Sequence, residues 1–254
     1  MPIENIQLNV ADVARSVEFY RDHLGAVPVG ETTETRALLD VVTATIELVR
    51  TTPAAESTWS SDDLQRGFRH VGFKVNGLDA LAGRLRDAGV PFHLDPLEAE
   101  GDVRITFFFD PDGTLLELVE RDLAYHTVVD DQLVAAEYAL GTPERPRFDH
   151  IALTVDDFEA TRDHYLPFGF RHHGTIRQPH DPRGFRIDYL KGGDTVLEVF
   201  TYETATTVPT PQTDAPGYVA ARLAGAATDD VVVGEGTDGT VYADSDGFAY
   251  TVRG

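Results

Sequence analysis

Phe107 to Glu120 reads FFFDPDGTLLELVE. Three aromatics, a turn and a second apolar run predict strand, tight turn, strand. Pro111 presets φ at the second turn position and Gly113 closes the turn, with Asp110 and Asp112 on either side of the proline. The second strand carries one carboxylate, Glu117, among Leu115, Leu116, Leu118 and Val119. An acid inside an apolar strand is expensive unless it is paired, solvated or bound to a cation.

The segments around this stretch repeat. Ile3–Val10 alternates apolar and polar residues, the mark of a strand with one face on a core. Asp12 is placed to cap a helix running to about His23, with Val13, Val17, Tyr20 and Leu24 as its apolar stripe and Gly25 as its stop. Extended segments follow near 26–30, 35–40 and 42–50, the last carrying Glu47. After a polar connection over 51–67 the pattern restarts: His70 follows Asn5 by 65 positions, as Val75 follows Val10. It restarts again at Phe148–Val155, where His150, Asp157 and Tyr165 each follow Asn5, Asp12 and Tyr20 by 145. That third unit ends at Glu198. A shortened fourth unit begins near Tyr218–Leu223, and its turn Asp244–Gly247 echoes Asp110–Gly113, which aligns Thr251 with Glu117 and puts Tyr218 near the place of His70. Such self-similarity defines architecture. The expected fold is α+β, built of tandem βαβββ units in two paired-module halves, the second degenerate. Residues 1–121 form the first half, 122–146 a linker with about one helical turn near 132–140, and 147–254 the second half with its last unit truncated.

The chain has 254 residues and a formal charge of −22, spread along its length. That surface disfavours nucleic acid and anionic membranes. Lys74 and Lys191 are the only lysines. An acidic, lysine-poor surface points to a halophilic protein working in high salt, where screening removes self-repulsion. The chain has no cysteine, which excludes disulfides, thiolate metal sites and cysteine nucleophiles. No signal peptide or membrane-length apolar run is present, so a cytoplasmic location is expected. With paired units in one chain, a monomer or a homodimer would serve.

The segments NIQLNVADVARSVEFYRDHLG, HVGFKV, FFFDPDGTLLELVE and HIALTVDDFEATRDHYL agree in order and spacing with one superfamily. The chain resembles the vicinal oxygen chelate group, which includes glyoxalases, bleomycin resistance proteins and extradiol dioxygenases. The likeness is good over 1–121, fair over 147–200 and weak over 216–254. It implies two units curled around a cleft, with metal ligands from the first and last strands of both. Carried onto the N-terminal half, those positions are Asn5, Glu47, His70 and Glu117. Such a set suits a divalent Zn, Ni, Co, Mn or Fe ion. The resemblance further implies a metal-dependent lyase or isomerase of the glyoxalase type. It would act on a small substrate with vicinal oxygens through an enediolate, with Glu117 as the first candidate base and Glu47 as the second. Gln7, Asn9, Lys74 and Phe107 are candidate cleft residues. Asn5 departs from the two-His-one-carboxylate set of an extradiol dioxygenase using Fe or Mn. That reaction is the alternative, together with a non-catalytic small-molecule-binding protein of the bleomycin-resistance type. His150 and Glu198 fall in the degenerate half, opposite Tyr218 and Thr251, and are read as remnants of a half that covers the cleft. His172, His173 and His180 are expected in a solvated loop.

Overall fold

A computed structural model describes residues 2–52, 57–225 and 230–253. Module one is β1 (Ile3–Val10), α1 (Val13–Leu24), β2 (Val27–Pro28), β3 (Arg36–Asp40) and β4 (Thr45–Arg50). Module two is β5 (Gly67–Val75), α2 (Leu78–Asp87), β6 (Phe92–Ala99), β7 (Val103–Phe109) and β8 (Leu115–Glu120). The linker forms a short strand β9 (Thr127–Val128) and a helix α3 (Asp131–Tyr138). Module three is β10 (Arg147–Val155), α4 (Phe158–Tyr165), β11 (Arg171–Arg177), β12 (Arg186–Gly192) and β13 (Thr195–Thr201). Module four is β14 (Gly217–Leu223), β15 (Val231–Gly236), β16 (Gly239–Ala243) and β17 (Ala249–Val252). Part of the polar connection (53–56) and residues 226–229, between β14 and β15, lie outside the described residues.

Local chemistry starts and stops α1 as the sequence predicts. The Asp12 side chain accepts the Arg15 amide, and Gly25 closes α1 with φ of 62°. The two Asp-Gly turns are built alike. Asp110 accepts the amides of Asp112 and Thr114 and the Tyr20 hydroxyl at 2.8 Å. Asp244 accepts the amides of Asp246 and Phe248 and the Tyr165 hydroxyl at 2.6 Å. The helix of module one is thereby tied to the turn of module two, and that of module three to the turn of module four.

Burial outweighs those hydrogen bonds and raises the Asp110 carboxyl to about 6. The folded protein then holds this proton more tightly than the unfolded chain does. The group's contribution to stability is present below the ordinary carboxylate pKa and is lost as pH rises from about 4 through about 6. Asp110→Asn should flatten the fall in unfolding free energy across that window by on the order of 2–3 kcal/mol. Urea unfolding of both proteins at the two ends of the window reads this; equal slopes would refute it.

Sheet pairing departs from the expected halves. One sheet runs β15-β16-β17-β14-β1-β4-β3-β2 and the other β6-β7-β8-β5-β10-β13-β12-β11-β9. Module one therefore shares a sheet with module four, and module two with module three. The first strands meet antiparallel at each centre, β1 on β14 and β5 on β10. Residues 1–121 do not enclose a cleft of their own. The linker, with β9 hydrogen-bonded to β11, delivers module three beside module two. A second correction concerns the histidine-rich stretch: Arg171–Arg177 is strand β11, paired with β12 along its length. His173 is buried there against Glu137 and Tyr125, while His180 is exposed.

Candidate metal centre

The central register of the nine-stranded sheet builds the site. On β5 and β10, His70 lies opposite Ala152, and Gly72 opposite His150. In the flanking parallel strands, Glu117 lies beside Gly72 and Glu198 beside Ala152. Two-residue alternation puts both histidines and both glutamates on the concave face. One donor atom from each of His70, Glu117, His150 and Glu198 falls within 4.8 Å of the others, and all four residues are buried. The His70 Nε2 is 3.1 Å from Glu117 Oε2, 3.1 Å from His150 Nε2 and 3.4 Å from Glu198 Oε2. His150 Nε2 is 2.9 Å from Glu117 and 3.3 Å from Glu198. Ligand bonds of about 2.1 Å put neighbouring donors roughly 3.0–3.4 Å apart, so the spacing fits one divalent ion. Two imidazoles and two carboxylates suit Zn, Ni, Co, Mn or Fe.

Without an ion the same groups form a charge cluster. Burial would raise the Glu117 carboxyl, but hydrogen bonds from His150 and His70 outweigh it and bring it down to about 2. Burial would lower the His150 imidazole, yet Glu198, Asp149 and Glu117 together raise it well above its usual value.

The two pseudo-equivalent pairs are held differently. His150 Nδ1 lies 3.1 Å from Asp149, and the Tyr189 hydroxyl donates to Glu198 Oε1 at 2.8 Å. On the other side, His70 Nδ1 is buried without a partner, and Glu117 meets only the two imidazoles among the described residues. His150 and Glu198 are the anchored donors, and Glu117 is the freer carboxylate. The His150 ring also rests on bare backbone: a Cβ at Gly72 would sit 2.1 Å from its Cε1. Gly72→Ala must displace that ring, and is expected to weaken zinc affinity by about 10–100-fold with the fold kept. Competition with a chromogenic chelator measures it, and unchanged affinity would refute the role of Gly72.

Glu117, His150 and Glu198 line a cavity of about 370 Å³, which Lys74 and Phe107 also line. Of the predicted ligands, the structure brings His70 and Glu117 together and puts Asn5 and Glu47 on the other sheet. There Glu47 is fully buried against Arg36, the Thr237 hydroxyl and the Asn5 amide, the last at 3.3 Å. The Gln7 carbonyl accepts the Thr237 amide, and Asn9 donates to the Thr213 and Ala215 carbonyls, so neither reaches the metal-site cavity. In that sheet Asn5 lies opposite Arg222, Gln7 opposite Ala220 and Thr251 beside Arg222. Ala220, not Tyr218, thus corresponds to His150, and Tyr218 instead stacks on Phe68 with ring centroids 4.0 Å apart. The second sheet repeats the geometry with Asn5 and Glu47 in place, but with Ala220 and Thr251 where the first has His150 and Glu198. His150 and Glu198, read from sequence as remnants, complete the cluster. Their repeat offsets were visible, but the pairing of modules two and three was not.

These sheets and this buried donor set define a vicinal oxygen chelate fold. The profile of the Glyoxalase/Bleomycin resistance protein/Dioxygenase superfamily matches residues 3–118. YraH of Bacillus subtilis, an uncharacterized protein, is 32% identical over 125 residues, covering 46% of this chain and 97% of YraH. The uncharacterized YwkD of the same organism is 43% identical over 58 residues, 22% of this chain and less than half of YwkD, 43%. Glyoxalase I from Zea mays superposes over 99% of this chain and 91% of its own, with a TM-score of 0.67 and 16% identity. That superposition establishes a shared fold. The chain belongs to the glyoxalase/bleomycin resistance protein/dioxygenase superfamily. Among the described residues, no helix is long and apolar enough to cross a membrane.

Proposed function

We propose that this chain is a metal-dependent lyase or isomerase of the glyoxalase type, acting on a small substrate with two neighbouring oxygens. The observation that carries this reading is the convergence of two imidazoles and two carboxylates at ligand spacing, with His150, Glu117 and Glu198 on the wall of a largely apolar cavity. His70, Glu117, His150 and Glu198 would hold the ion. A divalent ion there supplies Lewis-acid stabilisation of charge developing on the substrate oxygens. Glu117 moves a proton between adjacent carbons, since among the described residues its oxygens have no anchor outside the cluster. Tyr189 keeps Glu198 in place as a ligand, and Asp149 fixes the ring of His150. The acidic surface suits the protein to high salt.

Elemental analysis of protein purified in high salt without chelator should give about one transition metal per chain. The loaded protein should exchange the carbon-bound protons of 2-hydroxyacetophenone in D₂O, followed by NMR, and the metal-free protein should not. No metal after reloading, or no difference in exchange, overturns the proposal. A second reading gains from the pair of histidines: two imidazoles and a carboxylate can also serve an Fe or Mn ring-cleaving dioxygenase. Oxygen uptake with a catechol separates the two.

A further inference from the structure

The cavity around the candidate metal site has an uneven chemistry. Its walls are apolar and aromatic, with Val103, Ile105, Val119, Leu123, Phe185 and Ile187 facing in. Its charges are nearly all committed. Arg69 donates to Asp63 at 2.8 Å, to the Tyr202 hydroxyl at 3.0 Å and to the Thr154 hydroxyl at 3.3 Å, and its guanidinium lies 4.2 Å over the Phe200 ring. Arg183 reaches the same Asp63 from outside, at 2.7 Å. Lys74 donates to the Arg121 carbonyl at 2.5 Å. Five carboxylates line the cavity, Asp63, Glu100, Glu117, Asp149 and Glu198, against two fixed cations, Arg69 and Lys74. Among the described lining residues, Arg69 Nε is the one guanidinium nitrogen buried without a partner, and a bound divalent ion would be engaged by the substrate's neighbouring oxygens, so along the arm the carboxylates still outnumber the cations.

We infer that the cleft takes a neutral ligand with an apolar, aromatic-sized arm, and selects against substrates whose arm carries a carboxylate, phosphate or sulfonate. Burying such an anion here would leave it unpaired and beside carboxylates already in place. An apolar arm instead removes the lining of the cavity from water. The inference rests on the proposed function only for the part of the substrate that meets the ion. The arm pocket exists whether or not a metal is bound.

Two fluorescent probes with the same ring skeleton test it: N-phenyl-1-naphthylamine, which is neutral, and 8-anilino-1-naphthalenesulfonate, which adds one anionic group. Both brighten on entering an apolar cavity, and both are titrated into the full chain with and without zinc. The neutral probe should saturate at about one per chain and bind roughly tenfold or more tightly than the sulfonate. Phe185→Ala should weaken the neutral probe several-fold. Glu100→Lys, at the rim, should narrow the ratio between the probes by improving the sulfonate. Equal or tighter sulfonate binding overturns the inference, as does neutral-probe binding that ignores Phe185→Ala or fails to saturate. Absence of zinc binding would count against the proposed function alone, because the metal-free titration still reads the arm pocket.

Discussion

His150→Ala should strip the metal from this protein as completely as His70→Ala does. Each histidine supplies one of four donors that lie within 4.8 Å of one another, with each imidazole nitrogen 2.9–3.4 Å from the other three donors. Losing even an outer partner of a ligand costs about 10–100-fold in affinity, so losing a ligand should cost at least ~100-fold. The substitution also leaves Glu117 and Glu198 facing each other with one imidazole fewer, so the metal-free variant should be less stable than the metal-free parent. Circular dichroism and an unfolding curve show whether the variant is folded when its metal content is read. Asn5→Ala and Glu47→Gln are the matched controls. Both alter the other sheet, and both should keep a full complement of metal. Metal retained by His150→Ala would refute the assignment of module three to the site.

Glu117→Gln and Glu198→Gln should separate metal holding from proton transfer. Among the described residues the polar partners of Glu117 are the two imidazoles, whereas the second oxygen of Glu198 is held by Tyr189 at 2.8 Å. If Glu117 is the base, its amide variant keeps most of the metal through the remaining carbonyl oxygen and loses proton transfer, by about 10²–10⁴-fold. Glu198→Gln disturbs an anchored ligand, and should lose more metal and proportionately less turnover per bound metal. Metal content and deuterium exchange, measured on the same preparations, distinguish the two. The reverse pattern would make Glu198 the base.

The modules were legible in the sequence because their determinants are local. A capping aspartate and an apolar helical stripe recur 145 positions apart in modules one and three, an Asp-Gly turn recurs in modules two and four, and a strand glutamate ends each of the first three modules; each acts mainly within a few residues of itself. Tyr20 with Asp110 and Tyr165 with Asp244 show the repeat carried into three dimensions. Half of the candidate site was legible for the same reason: His70 and Glu117 belong to one module. The partners were not, because repeat offsets say which positions correspond and are silent on which modules share a sheet. A signal was present. Pairing modules one and four puts Asn5 and Glu47 with Ala220 and Thr251, while pairing two and three puts two histidines with two glutamates. Gly72 was the other signal, since its missing side chain makes room for a ring from the neighbouring strand. The histidine-rich stretch was misread because β11 gains its strand character from β12 and β9, pairings of long range. Lys74 and Lys191, the only lysines of an acidic chain, are both buried, which their rarity alone did not indicate.

X-ray absorption at the metal edge of the cobalt- or zinc-loaded protein tests the central claim most directly, because it counts imidazoles around the ion. A site formed by modules two and three has two, from His70 and His150, and His150→Ala should reduce the count to one in whatever metal remains. A site confined to the N-terminal half would hold one imidazole in the parent protein. Two imidazoles per metal is the result this account predicts; one in the parent protein, unchanged by His150→Ala, would contradict it.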